Sequence, residues 1–308
     1  MNMPNYSLAI VIPAYKAVYL NQALLSITQQ TNTSFNLYIG DDASPEDLEK
    51  IVSEFQKVLP ITYVRFNDNL GSISLVEHWK RCIEMTNGEK WIWLFSDDDI
   101  MESNCVEMFK KELENENELI RIYRFNSIKF TDNQEEVRAN FLKKNTNTVE
   151  YLHQKLNYIN ESYVIEYIFQ RDLYDEVNGF IDFPLGWCSD DSFWIKCSKL
   201  SNIRTINNAK VFWRWSSHNI SGQKDSKKNN ILKLTACLQY IRWLKEENIH
   251  DTHKNVDQWI LTWYLGQYNY LRKGLSIFEQ IINFLPIISM FPFGFLKLFL
   301  LKKRHKYN

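Results

Sequence analysis

The sequence predicts an α/β fold: a doubly wound, mostly parallel sheet followed by a helical C-terminal extension. Three observations predict it. Short apolar runs alternate with segments of helical spacing from Leu8 to Phe125. Acidic clusters follow two of those runs, at the strand ends where open α/β sheets bind ligands. From Ile231 to Lys273 the pattern is helical and rich in aromatics.

Each element has a local reason. Leu8-Ala-Ile-Val-Ile12 is a continuous apolar run that Pro13 should end. Val18 to Gln30 carries helical spacing, and Phe35 to Ile39 reads as a second strand. Ser44-Pro45-Glu46-Asp47 reads as a helix start, with Ser as N-cap and Pro at the first helical position, for a helix to Val58. A strand over Ile61–Phe66, a helix over Ser72–Met85 and a strand over Trp91–Phe95 follow. Ser103 should cap a helix to Glu114, before a strand over Leu119–Phe125. Thr131 to Thr148 is polar and reads as irregular; acceptor-specificity loops are expected in Thr131–Ser162. Tyr163 to Ser221 mixes short strands with a helix, and Lys224–Asn230 reads as a linker. The expected domains are therefore a block over 1–222, with halves 1–126 and 127–222, and a helical extension over 231–308.

Composition narrows the class. The chain has 308 residues, 45% hydrophobic and 24% charged, as a globular protein with a real core has. A net charge of -1 supplies no field for nucleic acid, so no nucleic-acid partner is expected. Five scattered cysteines without a CxxC pair read as free thiols in a reducing compartment. Met1 to Ser7 has no basic region leading into an apolar stretch, so no signal peptide is expected. P-loop and GxGxxG motifs are absent, which excludes a conventional kinase or dehydrogenase.

Aspartates carry the chemical signal. They cluster as Asp41-Asp42, Asp97-Asp98-Asp99, Asp172/Asp175 and Asp190-Asp191. Three adjacent carboxylates after the apolar run Trp91–Phe95 repel one another. They make sense if a cation binds there, and a divalent ion carrying a diphosphate is the leading candidate.

Seven segments, in order, resemble the family 2 glycosyltransferases of GT-A fold. Leu8–Tyr15 looks like the opening strand and nucleotide loop, and Ile39–Ser44 like the "DDGS" turn. Asn67–Gly71 looks like the "N-x-G" loop, and Phe95–Ile100 like the metal-binding "DxD" segment. Val177–Phe180 and Cys188–Trp194 resemble the "GGF" and "ED" segments. Phe212–Trp215 with His218–Ser221 resembles the closing Arg/His strand and loop. The match covers Leu8 to Ser221. Ser96 and Ser189 depart from the pattern, standing where the family often has acids.

The resemblance implies roles for particular residues. Pro13, Ala14, Tyr15, Asp42 and Gly71 would line the nucleotide, and Asp41 would face its base. Asp97 and Asp98 would hold a ribose hydroxyl or the metal, with Asp99 the foremost metal ligand and Asp97 and His218 supporting it. Arg214, with His218, would meet the diphosphate or the metal. Asp190 would be the general base, with Asp191 the alternative one position on. Plainer uses stay open: Asx turns for Asp41 and Asp42, helix-dipole contacts for Asp190 and Asp191, and cation–π packing for Arg214. Trp187 is either an acceptor-stacking surface or core.

The implied activity is metal-dependent (Mn²⁺ or Mg²⁺) and inverting transfer of a sugar from a nucleoside diphosphate sugar, UDP foremost. A growing glycan or lipid-linked acceptor in surface polysaccharide or lipopolysaccharide assembly is the expected setting. A nucleotidyltransferase would need a Gly-rich loop after the first strand, which Pro13-Ala-Tyr-Lys-Ala17 lacks; a catalytically silent nucleotide- or sugar-binding scaffold is the other alternative. The tail carries no charge from Gln280 to Leu296 and then Lys297 and Lys302-Lys-Arg-His-Lys306. Prolines and a glycine interrupt it and it is short for a span. It reads as an interfacial hairpin or helix on anionic lipid at the cytoplasmic face of the membrane, or else as a helix packed on the catalytic domain.

Overall fold

The computed structural model describes residues 7–114, 119–133, 135–220, 222 and 226–292. Its elements are β1 (Leu8–Ala14), α1 (Leu20–Thr28), β2 (Asn36–Asp41), α2 (Leu48–Phe55), β3 (Ile61–Arg65), α3 (Leu75–Glu84), β4 (Trp91–Leu94), β5 (Ile100–Met101) and α4 (Cys105–Glu114). There follow β6 (Ile122–Thr131), β7 (Glu136–Asn140), β8 (Asn145–Thr146), α5 (Thr148–Leu156), β9 (Tyr167–Gln170), α6 (Arg171–Glu176), α7 (Ser189–Ser198) and β10 (Ile203–Trp215). Helices α8 (Lys227–Glu246), α9 (Val256–Leu271) and α10 (Ile277–Met290) complete it.

One sheet runs in the order β3-β2-β1-β4-β9-β6-β10-β5, with β7 on β6 and β8 on β10. The β3-β2-β1-β4 half is parallel, and β9 enters antiparallel between β4 and β6. Alternation along β1 and β2 assigns the faces. Leu8, Ile10, Ile12, Leu37 and Ile39 join Leu20, Leu24, Leu48, Val52, Val106 and Phe109 in the main core. Helix α3 packs on β1, β2 and β4. There Gly40 leaves room for Cys82, whose Sγ would lie 2.4 Å from an added Cβ. A parallel sheet covered on both faces needs apolar strands throughout, as β1 and β4 are.

Several boundaries differ from expectation. Pro13 does not end β1; it pairs in register with Gly40, and Ala14 with Asp41. Ser44 does not cap α2. Asp47 does, accepting from the Lys50 N–H. Helix α3 starts later than Ser72, with Ser74 accepting from the Glu77 N–H. The expected strand over Leu119–Phe125 begins at Ile122 and continues to Thr131, because β10 pairs along it from Ile203↔Ile122 to Trp215↔Thr131. The polar stretch after it is ordered as β7 and β8 by pairing with β6 and β10. Part of the expected linker is helix, since Ser226 caps α8 by accepting from the Asn229 N–H.

The chain divides into two compact units. The first holds Met1–Thr148, Ser162–Asp182 and Ser189–Gly222; the second holds Val149–Glu161, Phe183–Cys188 and Gln223–Asn308. Within the second, α8 packs on α9 and α10. Tyr158 donates to the Trp263 carbonyl, and Lys233 lies over Trp187 at 4.7 Å.

Trp93 is the central bulk of the sheet core. It is fully buried, stacks on Phe125 at 5.0 Å and donates its indole N–H to the Ile165 carbonyl. Trp93→Ala should cost about 3–5 kcal/mol, read as a lower urea midpoint at unchanged slope.

Candidate active site

Parallel pairing puts the carboxyl ends of β1, β2, β3 and β4 on one edge, and each contributes there. Period-2 alternation then sends Asp41 and Asp42 to opposite faces of the sheet. Asp41 is fully buried and its carboxylate takes three donors: the Ser44 N–H, the Tyr63 hydroxyl at 2.6 Å and Arg65 Nη1 at 2.7 Å. Tyr63 and Arg65 lie two apart on β3 and so reach the same point. The adjacent carboxylate raises the Tyr63 hydroxyl further after burial has raised it. Arg65 is half exposed and is the most solvent-accessible member of this trio.

Asp42 serves the other face. Its Oδ1 accepts from the Leu70 N–H and its Oδ2 from the Gly71 N–H, both at 2.9 Å. A Cβ on Gly71 would lie 2.6 Å from Oδ2, so only glycine permits this approach. Arg81 pairs with Asp42 from α3 and stacks on Phe66 at 3.9 Å. Burial raises the Asp42 carboxyl against these donors. His78 is buried beside them, and Arg81 Nε donates to its Nδ1 at 3.1 Å. That nitrogen therefore carries a lone pair and the imidazole is neutral; its 3.4 Å approach to Asp42 is not an ion pair. Burial and then Arg81 push the His78 pKa down to about 4.

The acidic turn after β4 is almost wholly buried. Asp97 Oδ2 accepts from the N–H groups of Tyr15 at 2.8 Å and Lys16 at 2.9 Å. It thereby holds the loop after β1, and the Ser44 hydroxyl fixes that loop from the other side by donating to the Tyr15 carbonyl. Asp98 Oδ1 accepts from Ser96, so the residue that replaces a family acid is a donor within the turn. Asp99 Oδ1 accepts from the Arg214 N–H at 2.7 Å. Burial and then the charge of Asp98 raise both flanking carboxyls, Asp97 to about 6 and Asp99 well above its ordinary range.

Arg214 shows the cation–π packing that its sequence left open. It is 1% exposed; Nε donates to the Asp98 carbonyl and Nη2 to Gln22 Oε1. Its guanidinium lies 4.1 Å from the Tyr19 ring centroid and 4.5 Å from that of Phe130. In this structure it clamps the acidic turn to β10 and presents no face to solvent. His218 is exposed, edge-on to Tyr19 at 5.9 Å. Asp190 and Asp191 open α7, the first half-buried and the second buried near Tyr167. They sit where helix-dipole contacts are favourable, and Asp190 is placed in the site by the sequence pattern alone.

Sequence reasoning missed Tyr63, Arg65, His78, Arg81 and Gln22. The i, i+2 spacing of Tyr63 and Arg65, and the i, i+3 spacing of His78 and Arg81, were the available signals.

Among the described residues no group of three His, Cys, Asp or Glu side chains converges as a protein-only metal site. Hard oxygen donors are nevertheless present, and Asp97, Asp98 and Asp99 each keep one carboxylate oxygen outside the bonds above. Mg²⁺-like ions take one or two carboxylates and fill the remaining positions with water and phosphate. The donor set fits that mode.

Two outcomes follow for stability. An unfolded imidazole takes a proton near 6.5, while folded His78 refuses it until about 4. Stability should be full above 6.5 and fall by up to about 3 kcal/mol as the pH drops toward 4, a slope that His78→Gln removes in denaturation at several pH values. Asp97 is the opposite case, since the folded state holds its proton up to about 6. Its ionisation removes stability as pH rises from about 4 through 6, so Asp97→Asn should melt higher than the parent at pH 7.5 and lose that pH dependence.

Comparison with known proteins gives the family and the fold. The family described as "Glycosyl transferase family 2" matches residues 9–176, more than half of the chain. An uncharacterized glycosyltransferase of Haemophilus influenzae is 31% identical over 112 residues, 36% of this chain and 36% of that protein, so the match spans about a third of the curated relative. S. aureus TarS 1-349 in complex with UDP superposes with TM-score 0.59 at 15% identity, over 89% of this chain and 77% of that one. Its complex with UDP-GlcNAc gives 0.63 at 13%, over 92% and 79%. The mannosyltransferase PcManGT of Pyrobaculum calidifontis, with GDP-Man and Mn²⁺, gives 0.53 at 12%, over 91% and 79%. At these identities the structural likeness establishes the fold, and the family match establishes descent: the chain belongs to glycosyl transferase family 2.

Proposed function

We propose that the protein transfers a sugar, with inversion, from a nucleoside diphosphate sugar to a growing glycan or a lipid-linked acceptor at the cytoplasmic face of a membrane. Surface polysaccharide or lipopolysaccharide assembly is the setting. The observation that carries the reading is the Asp97–Asp98–Asp99 turn: three adjacent buried carboxylates, of which Asp97 is bonded to the loop after β1, and of which Asp97 and Asp99 are raised by burial and then by the charge of Asp98. UDP is the preferred nucleotide, supported by the UDP and UDP-GlcNAc complexes of TarS; the GDP-Man complex of PcManGT keeps GDP as the competitor.

In this reading Pro13, Ala14 and Tyr15 flank the nucleotide. Arg65 with Asp41 reads the base: the arginine reaches solvent while the carboxylate orients it. Asp42 shapes the Leu70–Gly71 loop through its two backbone contacts. One or two carboxylates of the turn, Asp99 foremost with Asp97, would hold a divalent ion, which when bound would offset the charge of the departing diphosphate. Arg214 keeps the turn in place. Asp190 takes the proton of the acceptor hydroxyl as that oxygen attacks the anomeric carbon; the bond from that carbon to the phosphate oxygen breaks, and its electron pair leaves on the diphosphate. Asp191 is the alternative base.

A thermal-shift panel of UDP, GDP and their sugars, each with Mn²⁺ and with EDTA, tests the donor site. The expected outcome is a metal-dependent rise in melting temperature with one nucleotide, lost in Asp99→Ala. No shift with any nucleotide in the folded protein sinks the proposal. Asp190→Asn should keep that shift and reduce transfer at least about a hundredfold; normal transfer in it moves the role to Asp191.

A further inference from the structure

Helix α10 has two apolar faces where an isolated soluble helix has one. On the packed face, Ile287 and Phe291 are buried, Phe284 lies against Tyr268 at 5.0 Å, and Tyr264 and Tyr268 donate to the Asn283 and Gln280 carbonyls. The opposite face carries Ile277, Phe278, Ile281, Ile282, Leu285 and Ile288, all exposed, Ile277 at 77% and Phe278 at 71%. Their spacing of three, four and seven residues is one helical stripe. A water-facing stripe would carry Lys or Glu. Here Glu279 is the sole charged residue of α10, and it is used by the Ser276 capping box and by Lys227 at 2.9 Å.

The helix is well fixed despite Pro286 in its interior. Its start is closed by that capping box, and its end by Lys245, whose Nζ donates to the Met290 carbonyl and lies 4.0 Å from the Phe291 ring centroid. An exposed patch of six large apolar side chains on a fixed helix marks an interaction surface. No helix among the described residues is long and apolar enough to cross a membrane.

We infer that the Ile277–Ile288 stripe lies in the plane of an anionic lipid surface and anchors the protein there. The sequence beyond it supplies the charge argument: Lys297 and then Lys302, Lys303, Arg304 and Lys306 follow within twenty residues of Ile288, without an intervening acid. An uncharged apolar stripe continuing into a basic cluster is the composition of an interfacial anchor, in which insertion and attraction to acidic headgroups add. The basic cluster lies outside the described residues, so it enters by sequence alone. The anchor rests on the proposed reaction at a membrane face for its purpose, and lipid binding and donor binding are read separately so that each can fail alone.

The test is co-sedimentation of the full chain with phosphatidylcholine vesicles, with and without phosphatidylglycerol at about a third of the lipid. The parent should pellet with the anionic vesicles. Ile281→Glu with Leu285→Glu, both exposed sites, should lower the bound fraction at least about tenfold while the melting temperature and the nucleotide shift stay. A Lys302→Glu, Lys303→Glu, Arg304→Glu variant should lose the preference for anionic lipid. Failure of the parent to pellet with either vesicle overturns the anchor. So does equal pelleting by the Ile281→Glu/Leu285→Glu variant, or a dimer in light scattering that this variant converts to monomer without change in lipid binding. That last result would make the stripe an interface between copies of the chain.

Discussion

Three consecutive carboxylates have to be buried at the end of β4, and much of the first unit is arranged around that constraint. An unpaired buried charge is expensive. The structure meets the cost with donors from three directions. Backbone N–H groups come from the loop after β1, the Ser96 hydroxyl from within the turn, and the backbone N–H of Arg214 from β10. These contacts join segments about 80 and 115 residues away in sequence to one turn. The partial remedy leaves Asp97 and Asp99 raised, and a site that is uncomfortable when empty favours a cationic ligand.

The same logic explains Arg214. A guanidinium held between Tyr19 and Phe130 and bonded to the Asp98 carbonyl and Gln22 is geometrically locked. Its charge helps the carboxylates without competing for their outward oxygens, because its side chain bonds a carbonyl and an amide. Lysine would carry the charge but not the planar fork and stacking. The residue thus acts through the turn it positions. At β2 the two neighbouring aspartates are separated by strand geometry into different tasks: Asp41 orients Arg65 and Tyr63, while Asp42 organises a loop with Arg81 and neutral His78.

The second unit solves a different problem. Helices α8, α9 and α10 bury one set of apolar positions and leave another on α10 in solvent. That remaining stripe has no role in packing the unit. Its lack of charge separates it from the ordinary exposed face of a bundle helix, and it overlaps the tail whose sequence already read as interfacial.

Sequence alone determined most of the alternating strands and helices from Leu8 to Glu114, because most of them carry a local apolar period. It also determined the position of the acidic clusters at strand ends, which follows from their place after apolar runs. Tertiary structure decided what local pattern does not encode. Pro13 stays in β1, β6 runs on to Thr131, and β7 and β8 form at all, because partner strands supply pairing that those polar residues do not request by themselves. It decided that Asp47 rather than Ser44 caps α2, since the Ser44 hydroxyl is drawn to the Tyr15 carbonyl from another strand. It decided, too, that Arg214 is clamped inside and that Arg65 is the exposed partner of Asp41. Such assignments depend on which side chains meet across long sequence separations, and a one-dimensional pattern specifies periodicity and chemistry but not those meetings.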